Sequence, residues 1–294
     1  MFATSLWLTL TECSIAPRDE CCEWILCELE RCRIANSRTP GNAKSIKGKL
    51  SSLLQSLCGR MGRTVTMALS LVLRCHESHG VTHFSPELKD VQFFLNIILE
   101  KGMRPSRKIT LGAPARPHVL IWTDACDDNK YRGLGLVSVD TDDSSPHCTM
   151  CAVECPSWLL TTFKVQCSWV IWVLEMLAGL CGLLTLGQEL RGRRVYFFCD
   201  PSASWSSMIT GYASSKMMAR VSAPFHLFVA ALNIDLWVEL VNTDANNTDL
   251  ISRPRSGRGE LSKTIPPLVE RPMIFISKEE FNDPALFFFK KWWE

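Results

Sequence analysis

His118-Val119-Leu120-Ile121-Trp122-Thr123-Asp124-Ala125 is the stretch that decides how this chain is read. An apolar, partly β-branched run ends abruptly in a carboxylate. That is the pattern by which a buried strand delivers one acidic side chain to the edge of a sheet. Two outcomes are open. If later strand and helix ends bring further carboxylates to the same edge, the chain holds a metal site. If they do not, it is an ordinary α/β domain with acidic loops.

Working outward from Asp124, Gly133–Val139 reads as a second strand with turn residues on both sides, and Thr149–Glu154 as a third. A long apolar helix, Cys167–Gly187, comes next, then a strand over Val195–Asp200 and helices over Ser202–Gly211 and Lys216–Leu232. Ile234–Val241 is a last strand and Asn246–Ser252 a short helix. Strands joined by short turns, then alternating helices and strands, imply an antiparallel meander extended by parallel crossover units. The expected fold is therefore a mixed α/β sheet of five strands with helices on both faces.

Upstream, a short amphipathic helix is expected from Glu20 to Arg33. From Gly41 to Met103 the periodicity is helical: Leu50, Leu53, Leu54 and Leu57 recur at helical spacing, further helices are expected over Val65–Arg74 and Leu88–Leu99, and Arg104–Pro117 reads as a linker. Four segments result: 1–40, an N-terminal segment; 41–110, a small all-helical, basic region; 117–253, the mixed sheet; and 254–294, a tail.

Charge supports that division. The whole chain of 294 residues carries a net +2, which hides two unlike parts. Residues 41–110 hold eleven Lys or Arg against four Asp or Glu, whereas residues 118–253 hold nine against fourteen. A basic segment beside an acidic one suits a protein that grips a polyanion with one part and holds metal ions with the other. The plain alternative is two solvated surfaces of unlike sign. A composition 47% hydrophobic and 21% charged argues against disorder. The fourteen cysteines include Cys126, Cys167, Cys181 and Cys199 inside apolar runs, where a thiol acts as a small hydrophobe. Met1–Leu10 lacks the basic start and cleavage site of a secretion signal, so reduced thiols and an intracellular location are expected. In that compartment the glycosylation sequon Asn246-Asn247-Thr248 goes unused.

Four carboxylates occupy comparable places. Asp124 ends the first strand, Glu175 lies in the first turns of the long helix, Asp200 closes the run Val195-Tyr196-Phe197-Phe198-Cys199, and Asp249 sits in the helix after the last strand. Clustered carboxylates raise one another's pKa values unless a cation neutralises them, so a converging set implies a hard divalent metal. Two ions held together clamp a phosphodiester, one activating water and the other stabilising the leaving oxygen.

These residues also match a family. Ile121-Trp122-Thr123-Asp124-Ala125, with Gly133-x-Gly135 in the next strand, resembles the opening of an RNase H domain. Leu174-Glu175-Met176-Leu177-Ala178 resembles its glutamate helix, and Arg191–Asp200 the strand carrying its third carboxylate. Trp237-Val238-Glu239-Leu240-Val241 followed by Asn246–Arg253 resembles its closing strand and fourth aspartate. The nearest flavour is that of RNase H regions fused to reverse transcriptases of tyrosine-recombinase (DIRS-type) retroelements, with Gly48-Lys49-Leu50 and Gly59-Arg60-Met61-Gly62-Arg63 resembling the thumb or connection before them.

The resemblance implies an RNase H-like fold. It implies two Mg²⁺ (or Mn²⁺) ions on Asp124, Glu175, Asp200 and Asp249, and hydrolysis of RNA in an RNA–DNA hybrid. The partner is the remainder of a reverse transcriptase polyprotein, and no membrane is involved. Two departures stand out. Pro201 follows Asp200 where relatives carry Asn, although Pro suits a helix start. Asn242–Ala245 has no His. No polymerase signature occurs, so the chain reads as a fragment or decayed remnant of a larger polyprotein, a nucleic-acid binder without catalysis being the alternative.

Three features carry competing readings. Cys167–Gly187 is long and apolar enough for a membrane, but Glu175 near its centre costs roughly 2.5–3.5 kcal/mol on insertion scales. A buried helix with one carboxylate facing a cleft is the better account. His147-Cys148-x-x-Cys151-x-x-x-Cys155 has zinc-like spacing without a matching second pair. Arg191, Arg193 and Arg194 read as a solvated helix end, with substrate contact as the sharper option. Asp127, Asp128, Asp140, Asp142 and Asp143 read as solvated turn residues.

Overall fold

A computed structural model describes residues 4–8, 12–34, 37–38, 40–58, 82–83, 107–110, 117–128, 131–142, 147–166, 170–211, 213, 215–253 and 268–282. The chain divides into two compact units, one of residues 1–113 with 210–212 and the other of the remainder.

In the first unit, β1 (Thr4–Leu8) and β2 (Glu12–Pro17) form an antiparallel pair. Helices α1 (Asp19–Ile34) and α2 (Pro40–Cys58) come next, with the two-residue strands β3 (Ser37–Arg38) and β4 (Thr82–His83) pairing with each other. α1 buries Cys22, Ile25 and Leu29 and α2 buries Ile46, Leu50 and Leu53, the i, i+3/i+4, i+7 stripes of two packed helices. β5 (Arg107–Thr110) then pairs antiparallel with β2.

The region before the main sheet is therefore not all-helical, and part of the stretch read as a linker is a strand. The cause is non-local. Four residues rich in Arg and Lys carry no strand pattern of their own, and only the β2 edge, about ninety residues earlier, makes them one. The helices expected over 65–74 and 88–99, and Arg60 and Arg63, lie outside the described residues.

The second unit is a mixed α/β sheet of six strands. β6 (Val119–Asp128), β7 (Tyr131–Asp140) and β8 (His147–Glu154) are the antiparallel meander. Two helices, α3 (Ser157–Gln166) and α4 (Val170–Leu186), lead to β9 (Arg194–Cys199), which runs parallel to β6. Helices α5 (Ser202–Thr210) and α6 (Lys216–Ala231) lead to β10 (Asp235–Leu240), parallel to β9. A single turn, α7 (Asp249–Ser252), closes this part. β11 (Leu268–Pro272) pairs parallel with β8, and α8 (Lys278–Asn282) comes last.

The order is β10-β9-β6-β7-β8-β11. The mixed sheet expected from the sequence is present with one strand more than the five expected. β11 comes from the stretch read as a tail: Leu-Val-Glu-Arg-Pro is too short to announce itself, and its partner Cys148–Ala152 is about 120 residues away. α3 is a further addition, a helix between the third strand and the long apolar one.

Strand alternation sends the two faces to different helices. Ile121, Leu134, Leu136, Val195 and Phe197 are buried on one face, where Gly182 of α4 lies against Thr123 and Leu136, and Gly179 against Phe197. Phe197 and Phe225 of α6 meet edge-to-face with centroids 5.8 Å apart. On the other face Val137, Cys148 and Ile251 form a smaller cluster with Trp122, Val139, Met150 and Ala152. Helix α4 with the turn after it, Val170–Leu190, is long and apolar enough to cross a membrane, yet 78% of its most apolar window is buried inside the fold.

Gly133 and Gly135 set how closely α7 lies on β7. A Cβ at Gly135 would stand 2.8 Å from the Ser252 nitrogen, and one at Gly133 would stand 2.1 Å from the Ser252 carbonyl oxygen. Both obstacles are backbone and cannot swing aside. Gly135→Ala is therefore expected to lower stability by about 1–3 kcal/mol, read as a lower urea midpoint, because overpacking must be relieved by moving α7.

Candidate functional site

The parallel pairing of β6 and β9 runs from Val119 opposite Val195 to Trp122 opposite Phe198. Asp124 and Asp200 each lie two residues past that last pair, where the parallel pairing stops. β6 itself runs on to Asp128 beside β7, so Asp124 does not end the strand as its sequence suggests; the β7 partner and not the apolar run sets the strand's length. Sites in α/β sheets form at such carboxyl ends. Beneath them Trp122 and Phe198 stack with centroids 4.8 Å apart and planes 14° from parallel.

Pro201 leaves the next helix free to start. The Trp205 N–H donates to the Pro201 carbonyl at 3.0 Å, so α5 begins immediately. Ser204 Oγ donates to the Trp172 carbonyl at 2.9 Å, fastening α5 to α4. α4 in turn packs along β6 and β7 and carries Glu175.

Asp124 and Glu175 are each only 4% exposed. Burial pushes the Asp124 carboxyl up to about 6, helped by the negative charges of Asp249 and Asp200 and opposed by the Ser252 hydrogen bond and the charge of Arg253. Burial also holds Glu175 well above the usual carboxylate range; the charges of Asp124, Asp200 and Asp249 add to this, and a hydrogen bond from the Ala125 backbone opposes it. Glu175 Oε2 is buried without a hydrogen-bond partner. Asp249 opens α7 and accepts a bond from Arg253 Nη2 at 2.8 Å.

Each of the four sequence candidates thus contributes charge to one electrostatic neighbourhood. They are not drawn into a ready-made cage: among the described residues no three His, Cys, Asp or Glu side chains are grouped so as to hold a metal ion. The donor set is nonetheless all hard oxygen. It includes one buried oxygen with no partner, and its members repel one another. Those features fit a hard divalent cation.

Two residues at this site escape the sequence reading as site residues. Ser252 Oγ donates to Asp124 Oδ2 at 2.5 Å, and Asn246 Nδ2 donates to the Thr123 carbonyl at 3.2 Å and to Asp124 Oδ1 at 3.4 Å. Asn246 and Ser252 stand in sequence only as members of the motif around Asp249, and Asn246 also as a glycosylation sequon, since single polar residues beside a helix carry no signal about what they reach.

Two further expectations, at Arg193 and Asp140, are corrected. Arg193 is not a solvated helix end: 9% exposed, it bonds both oxygens of Asp140 at 2.5 and 2.6 Å and the Pro117 carbonyl at 2.9 Å. That pair also removes Asp140 from the solvated turn residues, and the guanidinium holds its carboxyl below the usual range. Asp127 is bonded by Arg132. Arg194 reaches Asp235 at 2.8 Å, and Arg191 reaches Gln188 at 2.6 Å. Cys148 and Cys151 sit on opposite faces of β8, Cys148 in the cluster with Ile251, so the zinc-like spacing does not converge.

No family model matches the chain, and no curated protein does. Two solved structures resemble it in part. One is the N-terminal RNase H domain of Rv2228c from Mycobacterium tuberculosis, at 15% identity and a TM-score of 0.31 over 44% of this chain and 86% of the other. The second is RNase H1 from the halophilic archaeon Halobacterium salinarum, at 11% identity and a TM-score of 0.30 over 44% of this chain and 89% of the other.

The two raised carboxyls impose a pH dependence. In each, the folded state binds the proton more tightly than the unfolded chain does. Their contribution to stability is therefore full below about pH 4 and is lost as pH rises through about 6 for Asp124, with Glu175 extending the loss upward. The Asp124 part is on the order of 3 kcal/mol. In chelator-treated protein, Asp124→Asn is expected to flatten the decline in urea midpoint between pH 4 and 7. An unchanged slope would contradict the assignment.

Proposed function

We propose that the second unit is a ribonuclease H-type hydrolase that cuts RNA in RNA–DNA hybrids with Mg²⁺ (or Mn²⁺). The observation that carries this reading is the burial of Asp124 and Glu175 within reach of each other and of the charges of Asp200 and Asp249, near where the pairing of β6 and β9 stops. Those four carboxylates are the residues to hold two ions, which when bound supply an activated water and stabilise the leaving oxygen.

The chain's own part is to orient and to exclude water. Burial of Asp124 and Glu175 lowers the local dielectric, so their attraction for a cation is stronger than at an exposed site. Basic side chains of α2, with Lys44 exposed, supply sequence-independent phosphate contacts whose strength falls with salt. The substrate's A-form-like minor groove with its 2′-hydroxyls is what the site reads on the RNA strand. The motifs at Ile121–Ala125, Leu174–Ala178, Arg191–Asp200 and Asn246–Arg253 support descent from a retroelement reverse transcriptase of the DIRS type, whose remaining polyprotein is the partner, acting in the cytoplasm or nucleus.

A second reading is a hybrid-binding remnant without catalysis. It is favoured by the engagement of Asp249 with Arg253 and by the lack of a metal-holding group among the described residues. One assay separates the two. Wild-type chain is incubated with an end-labelled RNA–DNA hybrid and Mg²⁺, beside the Asp124→Asn, Asp200→Asn double variant. Cleavage by the wild type alone is expected. Equal cleavage by both overturns the nuclease reading, and binding without cleavage or any Mg²⁺-dependent rise in melting temperature favours the remnant.

A further inference from the structure

The closing segment Asn246–Ser252 does more than carry Asp249. Its side chains reach both oxygens of Asp124, Ser252 Oγ standing 2.5 Å from Oδ2 and Asn246 Nδ2 standing 3.4 Å from Oδ1. Both residues are buried, Ser252 completely and Asn246 to 6% exposure.

Their hydrogen-bond directions are settled by neighbours with only one option. Asn246 Oδ1 lies 3.2 Å from the Thr248 N–H and 2.5 Å from Thr248 Oγ1. A backbone N–H can only donate, so the amide oxygen must face Thr248 and the amide nitrogen must face the Thr123 carbonyl and Asp124. Ser252 Oγ has a single proton and two acceptors in reach, the Asp249 carbonyl at 3.0 Å and the Asp124 carboxylate at 2.5 Å. The charged and nearer acceptor takes it.

From this geometry we infer that Ser252 and Asn246, the latter oriented by Thr248, are positioning residues that fix the Asp124 carboxylate for cation binding. The inference rests on the reading that the carboxylate group holds a divalent ion. Neither residue is proposed as a ligand; each acts through Asp124. Partners of metal-ligating groups commonly change metal affinity 10–100-fold when removed, because the ligand then loses its orientation.

The test uses the full chain and Mn²⁺ alone as probe, with free Mn²⁺ read by electron paramagnetic resonance, beside the Mg²⁺ concentration giving half-maximal hybrid cleavage. Ser252→Ala is expected to weaken Mn²⁺ binding at least about 10-fold and to raise the Mg²⁺ requirement by a similar factor, with a smaller change in kcat at saturating Mg²⁺. Thr248→Val shifts both in the same direction by less, and Thr248→Ser restores them. Val137→Ala, in the cluster beneath the same turn, serves as the stability control and keeps wild-type Mn²⁺ affinity.

A folded Ser252→Ala that binds Mn²⁺ like the wild type overturns the inference, as does an equal weakening in Val137→Ala. If Ser252→Ala does not fold, Thr248→Val decides. Wild type that binds Mn²⁺ but does not cleave removes the nuclease reading alone, the Mn²⁺ affinities of the variants still deciding this one. Wild type without Mn²⁺ affinity overturns both.

Discussion

Burying a carboxylate costs several kcal/mol unless hydrogen bonds or an opposite charge offset it. This fold buries two within reach of each other's charge, Asp124 on the central strand β6 and Glu175 on α4. Hydrogen bonds from Ser252, Asn246 and the Ala125 backbone offset part of that cost, and Arg253 brings one positive charge nearby. What is left over raises the proton affinity of both carboxyls, and in the proposed reading it is also what a bound cation offsets. Nothing in the apolar packing of the unit requires Glu175 to be acidic, so the residue makes sense through the site rather than through the core.

The same cost accounts for the shape of the surrounding backbone. Asp124 needs donors from a segment about 120 residues later, and those donors arrive because Gly133 and Gly135 let α7 lie directly on β7. A side chain at either glycine would lift α7 and with it both Ser252 and Asp249. The two glycines, legible in sequence only as part of a strand motif, are thus the geometric condition for the hydrogen bonds at Asp124. Ile251 of the same turn packs with Val137 and Cys148 on that face of the sheet.

Legibility tracks locality. The start of β6 can be read because its apolar run and Asp124 sit in one window, whereas its continuation to Asp128 depends on β7; α4 can be read because almost every position is apolar. The parallel neighbours β6 and β9 can be inferred because each run ends in an aspartate. The features that escape are set by partners distant in sequence. β5 and β11 are strands only because β2 and β8 offer edges, and Arg193 is buried only because Asp140 and the Pro117 carbonyl meet it. Three arginines within four residues give no hint that Arg193 is an inward strut while Arg194 pairs outward with Asp235.

The long apolar helix joins these points. A helix apolar on all sides belongs either in a bilayer or between two apolar layers. Here α4 has β6 and β7 on one side and α6 on the other, and the segment after β11 adds a third contact, with the Ile274 N–H donating to Thr185 Oγ1 at 2.9 Å. Protein covers these faces, so the helix's apolarity needs no lipid. That enclosure is also what strands Glu175. With water excluded around α4, the one carboxylate on its buried face can be relieved only from the direction of Asp124, Asp200 and Asp249. In the proposed nuclease reading a cation there answers these charges together; without one, the proton that burial favours on Asp124 and Glu175 lowers the charge.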